Sequence, residues 1–461
     1  MRRSFIPVAC ALLLAGCRIA VPPAPPSTLA LPTAWRAPTQ QVGPGAAVER
    51  GWWQAFGDPV LDRIVALALE HNGDLRTARS RLQEYQARIR VADAARQPSL
   101  TVGVTPQRAR AIGPFGTPVE STSITGNLQA AYELDPFGRL ANATRAAEFD
   151  LATQQAALEA TALSVAASTA SGYLALRGLD AQLELARATL ASRQRSLDLA
   201  RRQFEVGYSS RLELAQAEAE FRTTATVVPQ LERSIAQQEN ALAVLLGASP
   251  GAIERGTKLD GLQAPAIQPG LPSGLLRRRP DIAQAESAIA AADANLAVAR
   301  DQMLPSLRLT ASAGGYAHNV PDLLGSGTGL WSVGASILAP VFDAGRLRAQ
   351  ADISASLRDR AVFAYESVVR NAFAETENAL TGVARLREQL EQAEGRRTAT
   401  AEALRIAHNR YRNGYSSYLE ELDAQRNSFS AETNVLQLRA GWLQAHVDLY
   451  RALGGGWSAT P

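Results

Sequence analysis

Hydrophobic positions along this chain follow two periods. In two stretches, about 139–206 and 346–413, apolar residues recur at helical spacing over 68 residues with no proline. A helix of that size runs ~100 Å at ~1.5 Å per residue. Each stretch ends in a Gly-Tyr-Ser-Ser turn, Gly207-Tyr208-Ser209-Ser210 and Gly414-Tyr415-Ser416-Ser417, and a return helix of nearly 40 residues follows. Gly suits a left-handed C-cap and Ser the N-cap of the next helix, so each pair predicts an αα-hairpin. Pro229 predicts a kink in the first return helix. Helical patterns also cover roughly 59–97 and 273–303.

Elsewhere the period drops to two. Leu100, Val102 and Val104 alternate with Thr101, Gly103 and Thr105; Ile124, Leu128, Ala130 and Tyr132 with Thr125, Asn127, Gln129 and Ala131. Leu307, Leu309 and Ala311 alternate with Arg308, Thr310 and Ser312; Trp331, Val333, Ala335 and Ile337 with Ser332, Gly334 and Ser336. A half-buried soluble sheet gives the same pattern. Strands of about ten residues, long Gly/Pro-rich loops near 111–120 and 318–330, and aromatics toward the strand ends favour a membrane barrel. Those aromatics are Tyr132, Phe137, Tyr316, Trp331 and Phe342. Four strands cannot close a barrel and an open edge is not tolerated in lipid, so the chain must oligomerise. Two copies give 8 strands and three give 12; the pattern alone does not choose.

The two halves are one unit repeated. Pro98-Ser99-Leu100 recurs as Pro305-Ser306-Leu307, Gly138-Arg139-Leu140 as Gly345-Arg346-Leu347, and each Gly-Tyr-Ser-Ser answers the other. Asp74-Leu75 is answered by Asp281-Ile282, and Leu246-Gly247 by Leu453-Gly454. All five pairs are offset by 207 positions, which marks a tandem duplication. The first copy spans 59–248 with strands at about 98–134. A Pro/Gly-rich linker, 249–272, leads to the second, 273–455 with strands at about 305–341, and a tail at 456–461.

The N-terminus adds an address. Met1-Arg2-Arg3, an apolar run from Phe5 to Leu14, and Leu14-Ala15-Gly16-Cys17 read as a signal peptide over 1–16, too short to span a bilayer. Its end resembles a bacterial lipobox. The resemblance implies cleavage before Cys17, acylation of that residue and release to the outer membrane. Residues 17–58 then form a lipidated tether, Pro/Gly-rich in its first part. Cys10 lies in the discarded segment, so the mature chain keeps one Cys and has no disulfide.

Of 461 residues 46% are hydrophobic and 6% aromatic, which suits a helical protein better than a sandwich or propeller. No window holds the ~20 uninterrupted apolar residues of a transmembrane helix. Lys and Arg number 47 against 44 Asp and Glu, a balance that does not point to nucleic acid.

With these features in place, further motifs converge. Trp52-Trp53-Gln54-Ala55-Phe56-Gly57-Asp58-Pro59, Tyr132-Glu133-Leu134-Asp135-Pro136-Phe137-Gly138-Arg139, Arg278-Arg279-Pro280-Asp281-Ile282 and Pro340-Val341-Phe342-Asp343-Ala344-Gly345-Arg346-Leu347 stand in order. The chain resembles a TolC-like outer-membrane factor of the efflux lipoprotein branch. The resemblance implies a mainly α fold with a β-barrel portion: a homotrimer whose 12-stranded β-barrel continues into a periplasmic α-barrel of 12 helical positions. It implies a periplasmic adaptor and an inner-membrane pump as partners. Pro136 departs from the family, which more often has Leu there; a strand end accommodates it.

No constellation for catalysis is present: no HExxH, P-loop, CxxC or GxSxG. His71, His318, His408 and His446 are scattered, and no cofactor or metal site is expected. Trp52 and Trp53 read as packing anchors; Arg277, Arg278 and Arg279 read as a helix-start surface feature or salt-bridge donor. The hairpin tips carry the function-bearing positions. By resemblance, Gly207 to Ser210 and Gly414 to Ser417 meet the adaptor. The resemblance implies that Glu420 and Asp423, three apart on one helix face, ring a closed periplasmic gate; Glu213, which matches Glu420 at the repeat offset, joins them as a gate candidate, and a solvated acidic face is the alternative. Tyr411 and Arg211 are candidates for bonds that hold it shut. The implied function is a passive outer-membrane exit duct for drugs or other small toxic compounds. A duct for type I protein secretion and a non-conducting lipid-anchored helical scaffold remain open as alternatives.

Overall fold

A computed structural model of the chain describes residues 25–26, 29–37, 49–265, 267, 269–324 and 329–457. The signal segment, Cys17 and much of the tether lie outside the described residues. In order the elements are α1 (Pro59–His71), α2 (Gly73–Ala94), β1 (Ser99–Ile112), β2 (Pro118–Leu134), α3 (Arg139–Glu205) and α4 (Arg211–Leu245). The second half supplies α5 (Pro280–Asp301), β3 (Ser306–Ala317), β4 (Gly329–Leu338), α6 (Arg346–Arg412) and α7 (Tyr418–Ala452). Both long helices, α3 and α6, have 67 residues. No described helix is long and apolar enough to cross a membrane.

The chain divides into two compact units. The first takes in Arg81–Gln155 and Gln284–Glu366. Its centre is one antiparallel sheet in the order β1-β2-β3-β4. Directly paired residues share a face, so the register sorts the side chains. Leu134, Leu307 and Ile337 form one row; Tyr132, Leu309 and Ala335 the next. Leu100, Ala130, Ala311 and Val333 follow, then Val102, Leu128, Ala313 and Trp331. The rows on the other face read Ser99, Ala131, Thr310, Gly334 and Thr101, Gln129, Ser312, Ser332. The apolar face is exposed in the single chain, with Val102 at 77% and Trp331 at 80%.

β1 and β2 are longer than the alternation indicated, 14 and 17 residues, while β3 and β4 have 12 and 10. Thr, Ser, Gln and Arg carry β1 and β2 beyond the apolar stretch, where alternation no longer marks a strand. The first loop shrinks accordingly to 113–117. Tyr316 also differs from expectation: it pairs with Thr125 on the polar face, so it is no part of an outward aromatic girdle.

Each sheet-to-helix junction is tied by its motif aspartate. Asp135 accepts from Ala141 N–H at 2.8 Å in the first turn of α3, and Asp343 from Leu347 N–H at 2.9 Å in that of α6. Arg139 donates to Glu133 at 2.6 Å. The two aspartate contacts satisfy helix-start N–H donors that have no partner inside the helix.

The second unit takes in Leu29–Ser80, Ala156–Ala283 and Ser367–Pro461. The single pattern expected over 59–97 is two helices there and beyond, broken at Asn72. Its side-chain oxygen accepts from Asp74 and Leu75 N–H at 2.9 and 3.2 Å, and its amide donates to Leu245 O at 2.9 Å. Asn favours such local bonds over helix continuation. Helix α4 continues through Pro229. Asp58, fully buried, caps α1 through Val60 N–H at 2.9 Å and accepts from Tyr173 Oη at 2.8 Å and Thr257 N–H at 3.0 Å. Gly256 is required beside it, since a Cβ there would overlap the Asp58 carboxylate.

Trp52 is buried and stacks on Tyr450 with ring centroids 5.0 Å apart. The Pro/Gly-rich segment read as a linker is packed, with Leu259 and Leu262 in the core and Arg439 donating to Leu259 O and Asp260 O. Arg277 is exposed, whereas Arg279 is buried and pairs with Asp281 and Glu375 at 2.6 and 2.8 Å. Part of the tether is laid down as well. Trp35 Nε1 donates to Gly270 O at 2.9 Å, and the Arg36 and Ala37 N–H groups both donate to Glu377.

Candidate functional site at the hairpin tips

Both tips close in the same way. Gly207 and Gly414 hold φ of 78° and 75°, a region that only glycine enters freely. Gly207 N–H donates to Phe204 O and Tyr208 N–H to Gln203 O at 3.0 and 2.7 Å. Gly414 and Tyr415 repeat the pair onto Tyr411 O and Arg410 O, both at 2.9 Å. This is the Schellman arrangement, and it ends a 67-residue helix sharply enough for its partner to return alongside. Ser210 then caps α4 by accepting from Glu213 N–H at 3.2 Å. Ser417 occupies the N-cap of α7 with no side-chain bond. Tyr208 and Tyr415 are left 89% and 78% exposed, apolar rings in water at the two turns.

Behind the turns the two hairpins share a small core of Leu197, Ala200, Ala217, Tyr418 and Leu422, with Leu214, Phe221 and Tyr411 against it. Tyr411 packs on Tyr418 with centroids 5.5 Å apart and donates to Gln203 Oε1 at 3.2 Å, a bond from α6 to α3. Burial first, and then the nearby carboxylates of Glu213 and Glu421, push its hydroxyl pKa up to about 12. Tyr411 therefore stays a neutral donor at neutral pH.

The other gate candidates separate. Glu213 is half-buried at the start of α4. Glu420 is exposed and meets Arg410 Nε of its own chain at 3.1 Å. Asp423 and Arg211 are exposed, and neither has an ion pair among the described residues. Within one chain, then, Tyr411 bridges the hairpins, Glu420 is held by Arg410, and Asp423 and Arg211 face solvent.

Two buried polar clusters escaped the sequence. Glu220, from α4, receives Arg193 of α3 at 3.4 Å and Arg426 of α7 at 2.7 Å. Arg193 keeps 5% of its side-chain exposure and Glu220 keeps 9%; burial lowers the Arg193 pKa. Glu421, 4% exposed, meets His408 Nδ1 at 2.8 Å and accepts from Gln425 at 2.9 Å. The signal available was position: Glu220 lies about two helical turns past Glu213, and Glu421 lies one residue past Glu420, on the inward stripe. Only the packing of three helices shows which charges are enclosed.

The family model for outer membrane efflux proteins matches twice, at residues 64–248 and 271–455. The probable efflux pump outer membrane protein TtgC of Pseudomonas putida is 36% identical over 426 residues, covering 91% of this chain and 88% of that protein. The pyoverdine export outer membrane protein OpmQ of Pseudomonas aeruginosa is 34% identical, covering 98% and 96%. Among solved structures, the Neisseria gonorrhoeae MtrE outer membrane channel in its open state superposes with a TM-score of 0.84 at 31% identity, covering 95% of this chain and 98% of that one. The Campylobacter jejuni CmeC channel reaches 0.88 at 23% identity, covering 96% and 95%, a likeness of fold. With two matches that together take in most of its length, this chain belongs to the outer membrane efflux protein family.

Proposed function

We propose that three copies of this chain assemble as the outer-membrane exit duct of a tripartite efflux system for small toxic organic compounds. The sheet carries the reading. It is apolar on one face, polar on the other, and open at both β1 and β4. Lipid cannot satisfy the free N–H and C=O groups of an edge strand. About eight strands is the smallest outer-membrane barrel, so β1 of one copy pairs with β4 of the next. Three sheets of four strands make a barrel whose lumen is lined by Ser99, Thr101, Gln129, Thr310, Ser312 and their neighbours, a wetted, polar surface.

Acylation of Cys17 anchors each copy, and the tips around Gly207 to Ser210 and Gly414 to Ser417 engage a periplasmic adaptor that links the duct to an inner-membrane pump. Glu213, Glu420 and Asp423 face the axis of the closed gate, with Tyr411 and Arg211 beside them. The duct itself performs no chemistry; direction and energy come from the pump. Support comes from the relatives, which are named as outer membrane proteins of toluene, antibiotic and pyoverdine export. Purified protein in a planar bilayer should give discrete single-channel currents that rise when the tip bonds are broken. A protein that inserts and never conducts, with or without those bonds, overturns the duct.

A further inference from the structure

The outward face of β1 does not end with its apolar band. Leu100, Val102, Val104 and Pro106 share one parity, and the next two members of that series are Arg108 and Arg110. Across the pair, Ile124 is followed by Thr122 and Glu120 on the same face. On β2 the apolar series runs from Leu134 to Ile124. Ten residue steps give ~34 Å along the strand, and ~26 Å of membrane height at a tilt of ~40°. That matches the apolar band of about 25 Å found on such barrels. Arg108 then stands ~5 Å above the hydrocarbon, within the headgroup layer, and Arg110 ~10 Å above it, close enough for its long side chain to reach back to the phosphates. They lie at the end away from the helices, which leave the sheet beyond Leu134 and Leu338, and hence on the cell-exterior side.

Their charge is available. Arg108 reaches Glu120 at 3.0 Å, but both side chains are largely exposed, at 76% and 53%. Arg110 is exposed and has no ion pair among the described residues. A guanidinium at this height meets the phosphates of outer-leaflet lipid, to which its planar fork is matched. We propose that Arg108 and Arg110 form a phosphate-binding collar for the phosphorylated glycolipid of the outer leaflet, with Glu120 as the group that the lipid phosphate displaces from Arg108. The proposal rests on the barrel reading above, because that reading turns this face toward lipid.

Full-length protein in detergent would be incubated with lipid A carrying its phosphates, with dephosphorylated lipid A, or with inorganic phosphate, and retained ligand counted by native mass spectrometry. Wild type should retain the phosphorylated lipid preferentially. Arg108→Ser with Arg110→Ser should weaken that retention about thirtyfold, from the usual worth of two surface cations at an anionic leaflet, while channel conductance stays unchanged. Glu120→Gln should move the other way and strengthen it. Equal retention by wild type and the double variant, or equal retention of the dephosphorylated lipid, overturns the collar. Displacement of the lipid by millimolar inorganic phosphate overturns the lipid assignment in favour of free phosphate. Loss of conductance in wild type would strike the barrel reading instead.

Discussion

Glu220→Gln is the substitution that the tip geometry makes most costly. It keeps volume and removes one charge. Two arginines lose their counterion, and they respond differently. Arg426 is 53% exposed and returns to water, so its share is at most about 1 kcal/mol. Arg193 is 5% exposed and cannot, and its Nε is already buried without a partner. Its guanidinium stays charged at neutral pH. A buried ion left unpaired costs about 3–5 kcal/mol, so an opening of α3, α4 and α7 at the tips should become ~3 kcal/mol easier. At ~1.4 kcal/mol per decade this is about a hundredfold loss of hydrogen-exchange protection. Exchange would be followed by mass spectrometry in peptides covering 190–200, 215–225 and 420–430, with the sheet as internal reference. Arg193→Met added to Glu220→Gln should recover most of the protection, because an apolar side chain suits the enclosed site. A change within about twofold, the scale of an ordinary surface substitution, would refute the reasoning. So would a double variant no better than the single.

Three further outcomes follow from the same structure. Glu420→Gln with Asp423→Asn should reduce cation preference and block by a trivalent cation in planar bilayers; unchanged selectivity would mean that these carboxylates do not line the aperture. Burial holds the His446 pKa below its ordinary value of 6.5. Its contribution to stability is therefore present above pH 6.5 and lost as pH falls through the folded value, since the unfolded chain then binds more protons; thermal melts should show an acid loss that shrinks in His446→Gln. Asp58→Ala removes the α1 cap and strands Tyr173 Oη and Thr257 N–H, and should cost about 3–5 kcal/mol in chemical denaturation; a loss under about 1 kcal/mol, the net worth of a single hydrogen bond, would mean the cluster is dispensable.

The long helices were legible to within a residue, because helical periodicity without proline persists until glycine stops it, at Gly207 and again at Gly414. Strand faces were legible wherever one face is apolar. Strand ends were not, because at Arg108, Arg110 and Glu120 both faces are polar and only the ladder of backbone bonds continues. Asn72 hid a helix break because its side chain, not a proline or glycine, makes the interruption. Tip residues were legible as turns and charges. Which charges are enclosed depends on how α3, α4 and α7 meet, and the chain separates Arg193 from Arg426 by more than two hundred residues. Trp35 with Gly270, and Ala37 with Glu377, likewise join only in three dimensions.

The central claim is that the open edges of β1 and β4 are closed by other copies of the same chain. Native mass spectrometry of the full-length protein, extracted in mild detergent, tests it directly. The account predicts three chains per particle, with mixed trimers forming when tagged and untagged chains are made together. A folded, detergent-stable monomer would contradict it, since four strands leave both sheet edges without partners.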